Sequence, residues 1–347
     1  MSGKPEQPAT SRAAGSERGV SIRAVAARAQ VSIATVSRVV NGVANMASPE
    51  TVARVRAAIT ELGYRPMSAG RSLRQRQSRL VAVIAANLAN PAMTAIAASV
   101  EIALRTRGLV LALCDSHDRA ELQDEYLLEM RAHLVRATVL LGAVQSPVLA
   151  AMRQAGEPLI FVNRRCPDDD AQPFIGIDNA KAGRDAAGFF LARGLADIAV
   201  VHGHLGSSAT IDRLGGISQA FADAGLALPP ERFFTTAAAE HLEIGYRAAD
   251  ALLSGDALPA GIACASDMIA FGAHRRLIEA GLDAASMPPL LGFDDNPLNP
   301  WVAPWLSSVR IPYQAYGEAV LRMMEPNTPR RIILPHEIVD RSQGSIG

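Results

Sequence analysis

Apolar residues recur with helical spacing between residues 22 and 62, and from Leu80 onward they bunch into short runs separated by helix-sized stretches. In the first region Ser21, Ser32 and Ser48 each stand just before an apolar-periodic run, the position of a helix N-cap. Ser48-Pro49-Glu50 adds a proline at the first helical position and an acid in the first turn, where it meets the positive end of the helix dipole. Gly63 ends that helix after Leu62. The pattern predicts helices over 22–29, 33–40 and 49–62, followed by Tyr64-Arg65-Pro66 and a basic segment from Gly70 to Arg76. In the second region the expected strands are Leu80–Ala86, Leu109–Cys114, Thr138–Leu141, Leu159–Val162, Phe174–Ile177, Ile198–His202, Ile262–Ala265 and Leu290–Phe293. Helix-sized stretches such as Ala120–Leu134, Ala180–Arg193 and Asp267–Ala280 lie between them. Alternating strand and helix implies parallel sheets covered on both faces, and these strands are too many for one small doubly wound sheet, so two such subdomains are expected.

Leu80–Val100 is uncharged over 21 residues, long enough to cross a membrane. Asn87, Asn90, Pro91, Thr94 and Ser99 interrupt it, and it reads instead as a buried strand, an Asn/Pro turn and a helix of small residues. Residues 1–18, rich in Ser, Ala, Gly and charge, lack an apolar stretch and read as a loose tail rather than a signal peptide. A chain of 347 residues accommodates two or three domains.

Charge is unevenly distributed along the chain. The whole chain balances 34 basic against 34 acidic residues, yet residues 20–79 hold ten arginines, no lysine and two glutamates, a net +8 that the remainder offsets. One segment is built to meet negative charge. Cys114, Cys166 and Cys264 are odd in number and widely spaced, which excludes a disulfide scaffold or zinc ribbon and fits a reducing cytoplasm. Two short helices around the turn Ala29-Gln30-Val31 form the layout that presents a second helix to the DNA major groove. Arginines that continue past the helices into the linker are a phosphate-binding footprint that a merely solvated charged face does not explain.

The stretch Ser21-Ile22-Arg23-Ala24-Val25-Ala26-Ala27-Arg28-Ala29-Gln30-Val31-Ser32-Ile33-Ala34-Thr35-Val36-Ser37-Arg38-Val39-Val40-Asn41-Gly42 resembles the headpiece of the lactose-repressor (LacI/GalR) family. The resemblance continues through Ser48-Pro49-Glu50-Thr51, Leu62-Gly63-Tyr64-Arg65-Pro66 and Arg71-Ser72-Leu73-Arg74. It resumes at Asn90-Pro91, Asp178-Asn179, Arg213-Leu214-x-Gly216, Ser266-Asp267-Met268 and Gly292-Phe293-Asp294-Asp295, covering nearly everything after the tail. It implies an all-α helix-turn-helix headpiece over 19–66 and a hinge helix or linker over 67–78. A periplasmic-binding-protein-like α/β core follows over 79–347, its two doubly wound parallel-sheet subdomains being about 79–162 with 294–310 and about 163–293 with 311–347.

In that family the second helix reads DNA, which carries base-edge roles to Ile33, Ala34 and Arg38 and backbone contacts to Ser32, Thr35, Ser37 and Asn41. The chemistry supports the division: Arg38 can pair two donors with guanine, whereas Ile33 and Ala34 offer only methyls for a thymine methyl or for shape. Val25, Val36, Val39 and Val55 are expected in the core. Residues 68–75 resemble the family's hinge helix, giving Leu73 the role of minor-groove wedge. Gly70 stands where the family usually has alanine and Met67 where asparagine is common; glycine costs about 1 kcal/mol in a helix.

The resemblance places an effector in the cleft between subdomains, with chain crossings near 163–165, 293–295 and 309–312. The cleft residues then map to Ala92, Met93, Asn163, Arg165, Arg213, Ser266, Asp294 and Tyr313. Arg213 and Asp294 match the family's sugar-binding pattern and can hold hydroxyls or a carboxylate. Ala92-Met93 replaces an aromatic pair, Asn163 a common aspartate and Ser266 a common asparagine. A lost carboxylate and the added Arg165 beside Arg164 favour an anionic effector such as a sugar acid, unless Arg165 faces solvent or pairs with Asp168-Asp169-Asp170.

His202 and His204 flank Gly203 without a third ligand nearby, so no metal site is expected. Gly203–Ser208 lacks the lysine and glycine spacing of a nucleotide loop. No cofactor is expected. The reading is a cytoplasmic, ligand-responsive regulator, a repressor rather than an enzyme. It binds a pseudo-palindromic operator as a homodimer, with no tetramerising leucine heptad before Gly347 and no membrane partner. The rivals are an α/β enzyme acting on a sugar or nucleotide with a basic helical appendage, and a constitutive DNA-binding protein without an effector.

Overall fold

The computed structural model describes residues 20–40, 47–64, 78–237 and 240–341. The chain divides between Gln75 and Arg76 into two compact units. The first holds helices α1 (Ile22–Ala29), α2 (Ile33–Val40) and α3 (Pro49–Leu62). Their ends are set as the sequence predicts: the Ser21, Ser32 and Ser48 hydroxyls accept from the amides of Ala24, Thr35 and Thr51, and Gly63 closes α3 in the left-handed conformation. Gln30 takes the same left-handed conformation at the end of α1 and turns the chain into α2. Val25, Val36 and Val55 are fully buried at the centre of this unit, with Val39 packed against them. Arg28 and Glu61 tie α1 to α3 by two charged bonds of 3.0 and 2.7 Å.

The second unit opens with β1 (Leu80–Ala85), α4 (Pro91–Thr106), β2 (Val110–Asp115), α5 (Ala120–Ala132), β3 (Thr138–Leu141), α6 (Pro147–Gln154), β4 (Leu159–Val162) and β5 (Phe174–Ile177). There follow α7 (Asn179–Leu191), β6 (Ile198–Val201), α8 (Ser208–Asp223), β7 (Phe233–Phe234), α9 (His241–Leu253), β8 (Gly261–Cys264), α10 (Asp267–Glu279), β9 (Leu290–Asp294), α11 (Asn299–Val302) and β10 (Ser307–Arg310). The last elements are α12 (Tyr313–Met323), β11 (Arg331–Leu334) and β12 (Glu337–Val339). The strands form two six-stranded sheets, in the orders β11-β5-β4-β3-β1-β2 and β12-β10-β9-β8-β6-β7, all parallel except for the antiparallel β10–β12 edge. The uncharged run from Leu80 becomes β1 and α4, and among the described residues no helix is long and apolar enough to cross a membrane.

The expected subdomain boundaries need correction. β5 pairs with β4 in the first sheet, Phe161 opposite Phe174, so the chain does not leave that subdomain at Asn163 but after Ile177. β9 and β10 are neighbours in the second sheet, Phe293 opposite Val309, so there is no crossing at 293–295. The other crossings fall between β10 and α12 and between β11 and β12, giving a first subdomain of 78–177 with 313–334 and a second of 178–310 with 337–341. Parallel neighbours demanded by the sheets, rather than connection length, decide the division.

One helix crossing in the second subdomain depends on two glycines. A Cβ on Gly183 of α7 would lie 2.2 Å from the Arg213 carbonyl oxygen, and one on Gly216 of α8 would lie 2.1 Å from that of Ala180. The bare backbones let α7 and α8 touch, which fixes the height at which α8 presents Arg213.

Candidate functional site

In the first unit the exposed side of α2 carries Ser32, Ile33, Ala34 and Arg38, with Thr35 and Ser37 half-buried. Ile33 is 44% exposed, a large apolar side chain left uncovered on an otherwise amphipathic helix. The Ser32 hydroxyl is engaged in the cap, bonded to the Thr35 amide and hydroxyl. Among the described residues of this unit Arg28 is held by a carboxylate, whereas Arg23, Arg38, Arg54 and Arg56 are exposed without one. Asn41, Gly70 and Leu73 lie outside the described residues.

In the core the ends of the parallel strands supply the site, the usual place for a ligand crevice in such sheets. Arg213 is buried on α8; its Nε donates to Asn179 Oδ1 at 2.9 Å, its Nη1 to the Ala265 carbonyl at 2.7 Å, and its guanidinium lies 4.4 Å over the Phe293 ring. Asp178 and Asn179 divide their work, Asp178 capping α7 and Asn179 aiming Arg213. Asp294 ends β9 with a left-handed φ of 110°, which lifts its buried side chain toward Arg213. No described residue hydrogen-bonds to its carboxylate, and Arg213 Nη2 likewise has no protein partner among the described residues. Burial pushes the Asp294 carboxyl up to about 8 despite the opposing pull of Arg213. Burial also lowers the Arg213 guanidinium from its ordinary value.

A second buried carboxylate holds this strand end in place. Asp267 accepts from Ser308 Oγ at 2.6 Å, the Asn296 amide at 2.7 Å and Asn299 Nδ2 at 2.8 Å. Burial still raises it to about 6. Gly292 is required here, since a Cβ would meet Asp267 Oδ1 at 2.2 Å. Asp295 is fixed by Arg310 at 2.6 Å and Arg341 at 2.7 Å.

The other expected site residues separate. Tyr313 reaches the site, but its hydroxyl donates to the Asp294 carbonyl at 2.5 Å. Ser266 caps α10 and bonds His241 Nδ1 at 2.8 Å. Ala92 and Met93 are buried in the first turn of α4, the Met93 methyl beside Gly142 and Arg164. Asn163 and Arg165 turn instead to a recess of ≈ 180 Å³ lined by Asp178, Ser208 and Asp212, below the ~300 Å³ lower end for small-molecule sites. Of the alternatives for Arg165, ion pairing prevails: it forms a two-pronged pair with Asp212 and binds Asp170 at 2.8 Å. Its charge is therefore neutralised, and it ties the first subdomain to the helix bearing Arg213.

Sequence reasoning missed His241, Arg164 and Asp118. Arg164 pairs with Asp118 through bonds of 2.5 and 3.1 Å, and its charge reaches His241 across the cleft. Burial, then Arg164 and Arg213, pushes His241 down to about 4 and keeps it neutral. His202 bonds the Gly203 carbonyl and His204 the Gly206 amide, each at 2.8 Å.

Residues 21–67 match the bacterial regulatory proteins of the lacI family, and residues 78–288 match the periplasmic binding proteins and sugar binding domain of the LacI family. The regulator RegA of Clostridium saccharobutylicum is 28% identical over 333 residues, covering 92% of this chain and 98% of its own length. The repressor PurR of Klebsiella pneumoniae (strain 342) is 30% identical over 306 residues, covering 87% and 89%. Among solved structures, the Lac repressor dimer bound to operator and the anti-inducer ONPF shares the fold, with a TM-score of 0.79 at 23% identity over 93% of this chain and 98% of that one. The regulator CelR in complex with cellobiose has a TM-score of 0.67 at 25% identity over 94% and 100%. An arginine-rich three-helix unit followed by two parallel-sheet subdomains, matched over both parts, places this chain in the LacI family of DNA-binding transcriptional regulators with a small-molecule effector domain.

Proposed function

We propose that this chain is a cytoplasmic homodimeric repressor that binds a two-fold operator through α2 and releases or tightens its grip when a sugar occupies the Arg213–Asp294 cleft. It acts as a regulator and not as an enzyme. The observation that carries the effector half is that Arg213 Nη2 and the Asp294 carboxyl, on two buried residues within electrostatic reach of each other, have no protein hydrogen-bond partner among the described residues. A free donor and a free acceptor on otherwise buried side chains can be bridged by a ligand hydroxyl through charge-assisted bonds. With Arg165 bound to Asp212 and Arg164 to Asp118, neither of these arginines brings an unpaired charge to the cleft, which favours a neutral polyhydroxylated ligand over a sugar acid. Exposed Leu298, Trp301 and Val302 at α11 offer apolar area for the second subunit.

A thermal-shift screen against millimolar D-glucose, D-galactose, D-ribose, cellobiose, D-gluconate and D-galacturonate tests the reading. A ligand at a hundred times its Kd adds about 2.7 kcal/mol of stability. The response should follow the neutral sugars, vanish in Arg213→Ala and persist in Arg165→Ala. A response confined to the two acids, or one lost with Arg165, would reverse the charge argument. For the DNA half, Arg38→Ala should lose about 1–3 kcal/mol of discrimination at one base pair, measured on single-substituted variants of an operator selected from random DNA. Uniform weakening across all variants would make Arg38 a phosphate contact instead.

A further inference from the structure

Tyr316 is fully buried, and its hydroxyl has no hydrogen-bond partner. It sits one helical turn beyond Tyr313 on α12, where the charges of Arg213 and Asp294 both reach it. Tyr313 is not its partner: that hydroxyl donates to the Asp294 carbonyl, and Tyr316 does not bond to it. Nor can the phenol withdraw to solvent. Gly317 packs so closely on α4 that a Cβ would lie 2.2 Å from the Ser99 carbonyl oxygen, and Ser99 Oγ bonds the Gly317 amide at 2.9 Å and the Gln314 carbonyl at 3.1 Å. α12 is thereby locked against α4, so the phenol stays buried where the charges of Arg213 and Asp294 reach it.

A phenylalanine would fill the same space without the cost of a buried, unpartnered hydroxyl. Tyr316 comes from the first subdomain and Arg213 and Asp294 from the second, so the three groups meet where a ligand held between the subdomains must lie. We infer that Tyr316 is a specificity-determining residue of this cleft, its phenol hydrogen-bonding one hydroxyl of the polyhydroxylated ligand that Arg213 and Asp294 hold. The inference rests on the effector reading above. It assigns the phenol role to Tyr316 and leaves Tyr313 to position the Asp294 backbone.

Tyr316→Phe separates the two roles. Without ligand the variant should melt at or above the wild-type temperature, since it removes an unpartnered group. The sugar that shifts the wild type most should bind the variant about tenfold more weakly, a loss of ~1.4 kcal/mol. Among monodeoxy analogues of that sugar, one should bind wild type and variant equally. A variant that binds the sugar as tightly as wild type, or that melts lower without ligand, overturns the role of Tyr316. If no sugar in the screen shifts the wild type, the effector reading fails first. If the wild type responds, Arg213→Ala does not and Tyr316→Phe responds in full, the effector reading stands and Tyr316 alone is excluded.

Discussion

Asp294→Asn should stabilise the free protein at pH 8 while abolishing its response to effector. The native carboxyl titrates near 8 and the unfolded one near about 4, so between those values the folded chain holds a proton that the unfolded chain has lost. Stability therefore falls as pH rises through that window. His241 acts in the opposite sense, being neutral in the fold down to about 4 while its unfolded counterpart charges near about 6.5, so its contribution grows with pH between those values. Asp267, raised to about 6, lowers stability with rising pH only up to that point. Between about pH 6.5 and 8 Asp294 is left as the titrating member of the three, with a slope on the order of 1 kcal/mol per pH unit. The amide keeps the volume and removes the charge, so melting temperature against pH should flatten for Asp294→Asn over that interval. Parallel curves for variant and wild type would show that Asp294 is ionised in the native site at neutral pH.

The headpiece was legible in the sequence because its signals are local. Ser21, Ser48 and Gly63 each determine a helix end through a bond to a residue within four positions, and the valine periodicity identifies the buried face. The strands at the centres of the sheets were legible for a similar reason, being unbroken apolar runs buried on both sides. β10 was not, because it begins with two serines. Both are buried, with Ser308 bonded to Asp267 and Ser307 to the Arg341 amide, partners that only the fold supplies. β11 and β12 are short edge strands that are only partly buried, and they carry little apolar signal.

The site divides along the same line. Arg213 and Asp294 were found because they sit in recognisable motifs, and the structure explains the motifs: Gly216 for the helix crossing, Gly292 for the approach of Asp267. Arg165 was assigned to the ligand because adjacency in sequence says nothing about direction. At the end of β4 Arg164 turns to Asp118 and His241, whereas Arg165 turns to Asp212 and Asp170. His241 had no sequence signal, since its partner Ser266 lies 25 residues away.

Gly183→Ala should show that the fold and the effector site are coupled at the α7–α8 crossing. The added methyl would lie 2.2 Å from the Arg213 carbonyl oxygen and 3.1 Å from its Cα, both backbone atoms that cannot rotate aside. α8 must move away, and overpacking of this kind costs up to about 3 kcal/mol. The same displacement stretches the 2.9 Å bond from Asn179 to Arg213, which spans that crossing, so the guanidinium loses its aim as the protein loses stability. Gly188 lies further along α7, exposed, with nothing within 4 Å of a Cβ. Gly188→Ala should therefore gain up to about 1 kcal/mol from helix propensity and leave the effector response intact. The contrast between two identical substitutions on one helix removes intrinsic propensity as the cause. If Gly183→Ala melted with the wild type and kept its effector affinity, α7 and α8 would not be in the close contact that holds Arg213 in the cleft.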